Sequence, residues 1–236
     1  MNTKLKASAL LSITILLAIS VVAISEMPEA EAKKDHEDKN KSKDWKNLKK
    51  YLKGKPDFVA KINTPNEPEH HNGEGGVALF WVSGEGDNMK VSYKIFLKKI
   101  GIGDIEGGLG QEPDKNRYDH YLWKLHVHPA PIDENGVPQH DPTVHLFNIV
   151  GPTDDNNMKI KGKMISGKWD KSDAHRTDLP HDHHETNALN EVLANGKTPI
   201  ELMCSGNTDI NVHLEEASHL EVRGQLIPTS KFCDSI

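Results

Sequence analysis

The sequence predicts an all-β protein: an antiparallel Greek-key β-sandwich or barrel with one short helix, preceded by a signal peptide and a basic linker. Three observations carry this. Apolar and polar residues alternate with a period of two, most plainly over residues 89–97 and 210–226. Clusters of Gly, Pro, Asn and Asp separate such stretches and read as turns. Helical periodicity is confined to two short segments, near residues 44–53 and 186–195.

Residues 1–32 read as a secretory signal peptide cut after Ala32. Lys4 and Lys6 give the basic start, residues 7–25 are 19 uncharged, mostly apolar positions, and Ala30-Glu31-Ala32 supplies the small residues of a cleavage site. The rival reading is an uncleaved anchor, because 19 uncharged residues nearly span a bilayer. Either way the rest of the chain is expected outside the cytoplasm.

Residues 33–56 form the basic linker. Residues 33–55 hold ten lysines against four acids, a net charge of +6, while residues 56–236 hold 17 basic and 28 acidic residues, a net of −11. The arm suits an anionic surface or polymer, or is only a solvated spacer. Trp45, Leu48 and Leu52 recur at helical spacing, and Gly54 and Pro56 end that helix. The domain that follows is acidic and lacks a basic stripe interleaved with aromatics, so nucleic acid is not an expected partner.

The β domain is expected over residues 57–228, with a tail at 229–236. Residues 77–82 are apolar on both faces and suit a central strand. Residues 83–88 turn it into the alternating strand 89–97. A long loop is expected over 101–121. In the strand that follows, His126 and His128 share one face, and Trp123, Leu125 and Val127 take the other, core-facing side. Residues 144–150 and 158–165 read as two more strands around an acidic turn. Thr186 or Asn187 caps the predicted helix, Leu189, Val192 and Leu193 give it an apolar stripe, and Asn195-Gly196 stops it, with 199–203 extended. The last hairpin sets Ile210, Val212 and Leu214 against Leu220, Val222 and Leu226. Cys204 and Cys233 are the two cysteines, and an even pair outside the cytoplasm predicts one disulfide.

No catalytic motif survives inspection, so no enzyme is expected. There is no G-x-S-x-G elbow, and His184-Glu185 fails as H-E-x-x-H because Ala188 stands at the second histidine position. Metal binding has more support. His126 and His128 share a face, and His213 and Glu221 lie on the polar face of the last hairpin. Neutral imidazoles with a carboxylate suit Zn²⁺ or Cu²⁺, and His145 could join them. The competing reading is a structural polar network in which Asn211, Arg223 and Gln225 share hydrogen bonds with the histidines. His181, His183 and His184, with His175, form a second candidate site, or a solvated loop.

The chain also resembles the CHRD domain family, named after chordin. Ile62-Asn63-Thr64-Pro65-Asn66-Glu67-Pro68 stands where that family has an "NExP"-like turn. Gly76 to Val82 matches its apolar strand, Val91-Ser92-Tyr93 its tyrosine strand, and His126-Val127-His128 its "HIH" element. The closing "NVHT…GEIRGQL" is matched by Asn211-Val212-His213-Leu214 and Leu220-Glu221-Val222-Arg223-Gly224-Gln225-Leu226. Leu214 and Leu220 depart from the usual threonine and glycine, and the His-rich stretch 173–185 looks like an addition. The resemblance implies an extracellular β-rich domain with no established reaction. The leading expectation is therefore a secreted binding or structural module whose partner is an extracellular protein or cell-surface polymer. Second comes a binding or redox-active Cu/Zn protein using the histidines, and third a hydrolase.

Overall fold

The structure, a computed structural model, describes residues 54–65, 72–103, 105–106, 109–110, 120–131, 133, 139, 145–150, 157–173, 188–214 and 220–236. The predicted signal peptide, the linker up to residue 53 with its helix, and the loop carrying His175, His181, His183 and His184 lie outside the described residues. Among the described residues no helix is long and apolar enough to cross a membrane.

The unit from Gly54 to Ile236 is built on one large sheet. Its strands are β1 (Phe58–Ile62), β2 (Thr64–Pro65), β3 (Gly75–Ser83), β4 (Lys90–Lys98), β5 (Ile100–Gly101), β8 (His120–Pro129), β9 (Phe147–Val150), β10 (Lys159–Lys161), β11 (Met164–Trp169), β12 (Thr208–Leu214) and β13 (Glu221–Pro228). The two-residue strands β6 (Ile105–Glu106) and β7 (Leu109–Gly110) pair separately, inside the stretch read as a loop. The spatial order is β10-β11-β4-β3-β1-β13-β12-β8-β5, with β9 also on β8 and β2 on β13. All pairs are antiparallel except β5–β8. The chain crosses between the two ends of the sheet from β4 to β8 and again from β9 to β10, the long connections expected of a Greek key rather than a meander.

The sheet is strongly curled. β9 and β11 stand near opposite ends of the strand order, yet the Phe147 and Trp169 rings lie 5.8 Å apart. The alternation explains why: the long strands turn one apolar row each to the inside of the curl. Tyr93 and Ile95 of β4, Leu125 and Val127 of β8, Ile210 and Val212 of β12 and Val222 and Leu226 of β13 are all buried there. Gly224 marks a tight approach between strands. A Cβ at this position would lie 2.5 Å from the Lys61 carbonyl oxygen, so no larger residue fits without backbone movement.

Both predicted hairpins form, with Phe80 opposite Tyr93 and Val212 opposite Val222. Three expectations need correction. The helix is not at 186–195: residues 188–196 are turns, and Val192, meant for its buried stripe, is 69% exposed. The described helix is α1, Pro199–Cys204, in the stretch read as extended. The local reason is a capping box: Thr198 Oγ1 accepts from the Glu201 N–H at 3.3 Å, the Thr198 N–H donates to Glu201 Oε2 at 2.6 Å, and Pro199 takes the first turn. Second, residues 158–165 are not one strand but the hairpin β10–β11, turning at Gly162 with φ +60°. Third, Trp123 does not face the core. The β8–β12 register shifts between Leu214↔Leu122 and His213↔Lys124, so Trp123 is the extra residue and Leu122 is buried in its stead.

Cys204 and Cys233 form the expected disulfide, with their Cα atoms 5.2 Å apart. It fastens the end of α1 to the C-terminal turn. That turn is also held by Asp57, which accepts from Ser230 Oγ, and by Phe232, whose ring sits edge-on to Phe58 at 6.5 Å.

Candidate metal centre

Strand register builds the site. β8 lies between β12 and β9, and on its polar face His126 stands level with Asn211 of β12 and Asn148 of β9, while His128 stands level with Asp209. His213, two residues beyond Asn211, shares that face and is level with Glu221 of β13. His145 comes just before β9, where the Leu146 N–H donates to the Val127 carbonyl at 2.8 Å.

This polar face is not wet, as a half-buried strand would have it. His126 is 2% and His128 1% exposed, and His145, Asn148, Asp209 and Asn211 are buried with them. The His145 ring stacks on His126 with centroids 4.1 Å apart. His128 and His213 meet His126 edge-on at 4.9 and 4.7 Å.

His126, His128 and His213 each bring a ring nitrogen into one group, all within 4.8 Å of one another. These are three of the four ligand candidates read from the sequence. A tetrahedral ion with bonds of about 2.0–2.1 Å holds its nitrogens roughly 3.3 Å apart, so rings in this arrangement need close by only ~1.5 Å. The fourth candidate, Glu221, is not in the group. It sits behind His213, with Oε1 3.3 Å from Nδ1.

Hydrogen bonds fix which nitrogen is bare. The Asn148 Oδ1, 3.0 Å from His126 Nδ1, can only accept, so Nδ1 carries the proton and donates. That leaves the His126 Nε2 lone pair unprotonated, and Nε2 is buried without a hydrogen-bond partner among the described residues. Glu221 orients His213 in the same way, an outer carboxylate holding the far nitrogen of a would-be ligand. The His213 Nε2 faces Asn211 Nδ2 at 3.3 Å, a long contact that a metal would displace.

Electrostatics keep His126 neutral. Burial pushes the His126 pKa well below 6.5, and the neighbouring His145, His213 and His128 push it further, against the Asn148 hydrogen bond that raises it. Arg223 of β13 stands level with Asn211 on the same face, so its fixed positive charge lies two strands from His126. Gln225 Nε2 donates to the Gly206 carbonyl.

Asn148 was not singled out in the sequence. The signal was a lone polar residue inside the apolar run 146–150, but only the β8–β9 pairing aims it at His126.

A family model for the CHRD domain matches residues 58–226. No curated protein and no solved structure matches the chain.

Proposed function

The chain belongs to the CHRD domain family, and from that premise we propose that it is an extracytoplasmic binding module with a transition-metal centre at His126, His128 and His213 and no reaction of its own. One observation carries the metal reading: three buried or half-buried imidazoles bring ring nitrogens within 4.8 Å of one another. Two supports accompany it. Asn148 and Glu221 hold the far nitrogens of two rings, and the low pKa of His126 leaves it an uncharged donor at neutral pH. An all-nitrogen set of this kind suits Zn²⁺ or Cu²⁺ rather than Ca²⁺ or Mg²⁺. The module's location rests on its family and on the leader-like residues 1–32.

The test is titration of metal-stripped protein with Zn²⁺ and Cu²⁺. One equivalent should bind, and His126→Ala or His213→Ala should weaken it at least 100-fold with the fold intact. If neither ion binds in stoichiometric amount, and the same variants lower the melting temperature of metal-free protein, the cluster is a structural network. For location, N-terminal sequencing of material from outside the cell should return a chain starting at Lys33; membrane-bound material starting at Met1 would mean an uncleaved anchor.

A further inference from the structure

One more buried imidazole, His145, adjoins the group of three. It is 4% exposed, its ring stacks on His126 with centroids 4.1 Å apart, and it meets His128 edge-on at 4.7 Å. It is not among the residues whose nitrogens already lie within 4.8 Å of one another. Its backbone is nonetheless fixed beside them. The next residue, Leu146, donates its N–H to the carbonyl of Val127, which stands between the two histidines of β8. Three residues on from His145, Asn148 holds His126 Nδ1. One short segment therefore orients a ligand and sets a further imidazole against it.

The ring spacings are those of imidazoles around one ion. An imidazole centroid lies about 3.2 Å from a metal bonded at about 2.0–2.1 Å, so two rings at the tetrahedral angle have centroids roughly 5.2 Å apart. The pairs His126–His128, His126–His213 and His128–His145 stand at 4.9, 4.7 and 4.7 Å. Turning the His145 ring about its Cβ–Cγ bond, a broad and soft torsion, swings a nitrogen toward such an ion without moving the backbone. Packing alone does not call for histidine here. A buried imidazole keeps a lone pair that a donor or a cation must meet, whereas the buried Phe147, two residues on, fills space without that cost. Three histidines leave a fourth corner of a zinc ion to water or substrate; four protein ligands close it. The His213 side chain is 21% exposed, so solvent reaches the cluster from its side, while His145 lies against the two buried rings.

We propose that His145 is the fourth ligand of the centre and closes it, so that four imidazoles hold the ion and no corner remains for water or an exogenous ligand. The inference rests on the metal reading above and accords with a module that binds rather than reacts. The probes, used on the full chain, are Zn²⁺, Co²⁺ as its coloured substitute, and azide, a small anion that takes open metal corners. Parent protein carrying one equivalent of Co²⁺ should keep its visible spectrum in excess azide. His145→Ala should bind Zn²⁺ about 100-fold more weakly, and its Co²⁺ spectrum should shift with azide and return to the parent's with added imidazole. His145→Phe, which keeps the volume and the stacking, should lose affinity like the alanine variant. If it keeps the parent's Zn²⁺ affinity and Co²⁺ spectrum, or if azide shifts the spectrum of the parent, His145 is not a ligand, and the three-histidine centre stands without it. If the parent binds neither ion, both readings fall. Should the variants not fold, the response of the parent to azide decides alone.

Discussion

Removing the disulfide by Cys204→Ser with Cys233→Ser should lower the melting temperature by about 9 °C. The cysteines are 29 residues apart, and closing a loop of ~30 residues in the unfolded chain is worth about 3.6 kcal/mol in the chain-entropy account. The native side of the balance changes little. The tail stays tethered by the Thr229 N–H to the Asp57 carbonyl at 2.8 Å, Thr229 Oγ1 to the Pro56 carbonyl at 2.6 Å, and the Phe58–Phe232 contact. The unfolding entropy of the roughly 180 residues from Gly54 to Ile236 is about 0.4 kcal/mol per kelvin, which converts 3.6 kcal/mol to ~9 °C. Calorimetry of parent and variant under non-reducing conditions measures the shift. A shift below about 2 °C would refute the entropic argument, and two titrating thiols in unfolded, unreduced parent would refute the bond itself.

Gly224→Ala should cost about 1–3 kcal/mol, read by chemical denaturation, because its Cβ would press on the backbone of Lys61 and Ile62. Leu125→Ala should cost about 2–5 kcal/mol, since that side chain is wholly buried in the curl. Glu221→Gln should weaken Zn²⁺ binding about 10-fold while leaving the melting temperature of metal-free protein nearly unchanged, because it keeps the side chain's shape and removes the carboxylate charge beside a half-exposed His213. Metal-free protein should lose stability as pH falls below about 6.5. His126 is depressed in the fold, so the unfolded chain takes the proton first; the native state is at full strength above 6.5 and loses about 1.4 kcal/mol per pH unit below it for that one group. A denaturation midpoint constant from pH 6.5 to 5 would contradict this.

What the sequence determined by itself was whatever depends on neighbours along the chain. Alternation put Tyr93 and Ile95 on the core side of β4 and Ile210 and Val212 on that of β12, because a strand has only two faces. The same rule put His126 beside His128, and the closing residues 211–226 carried the family. The two cysteines, with no rival partners, defined their own bond. Even so, two local signals competed around residues 186–204, and the capping box at Thr198 prevailed over the apolar stripe at Leu189 and Val192. The rest was decided in three dimensions. A one-residue shift in the β8–β12 register exchanged Trp123 for Leu122 in the core. The placement of β9 on β8 brought Asn148 and His145 onto His126, and with them the burial that lowers its pKa. Glu221 could be read from sequence as a ligand, but cross-strand pairing put it behind His213, on the nitrogen that faces away. Periodicity states which way a side chain points from its own strand; which strands lie side by side, and in what register, follows only from burying all their apolar faces in one curl.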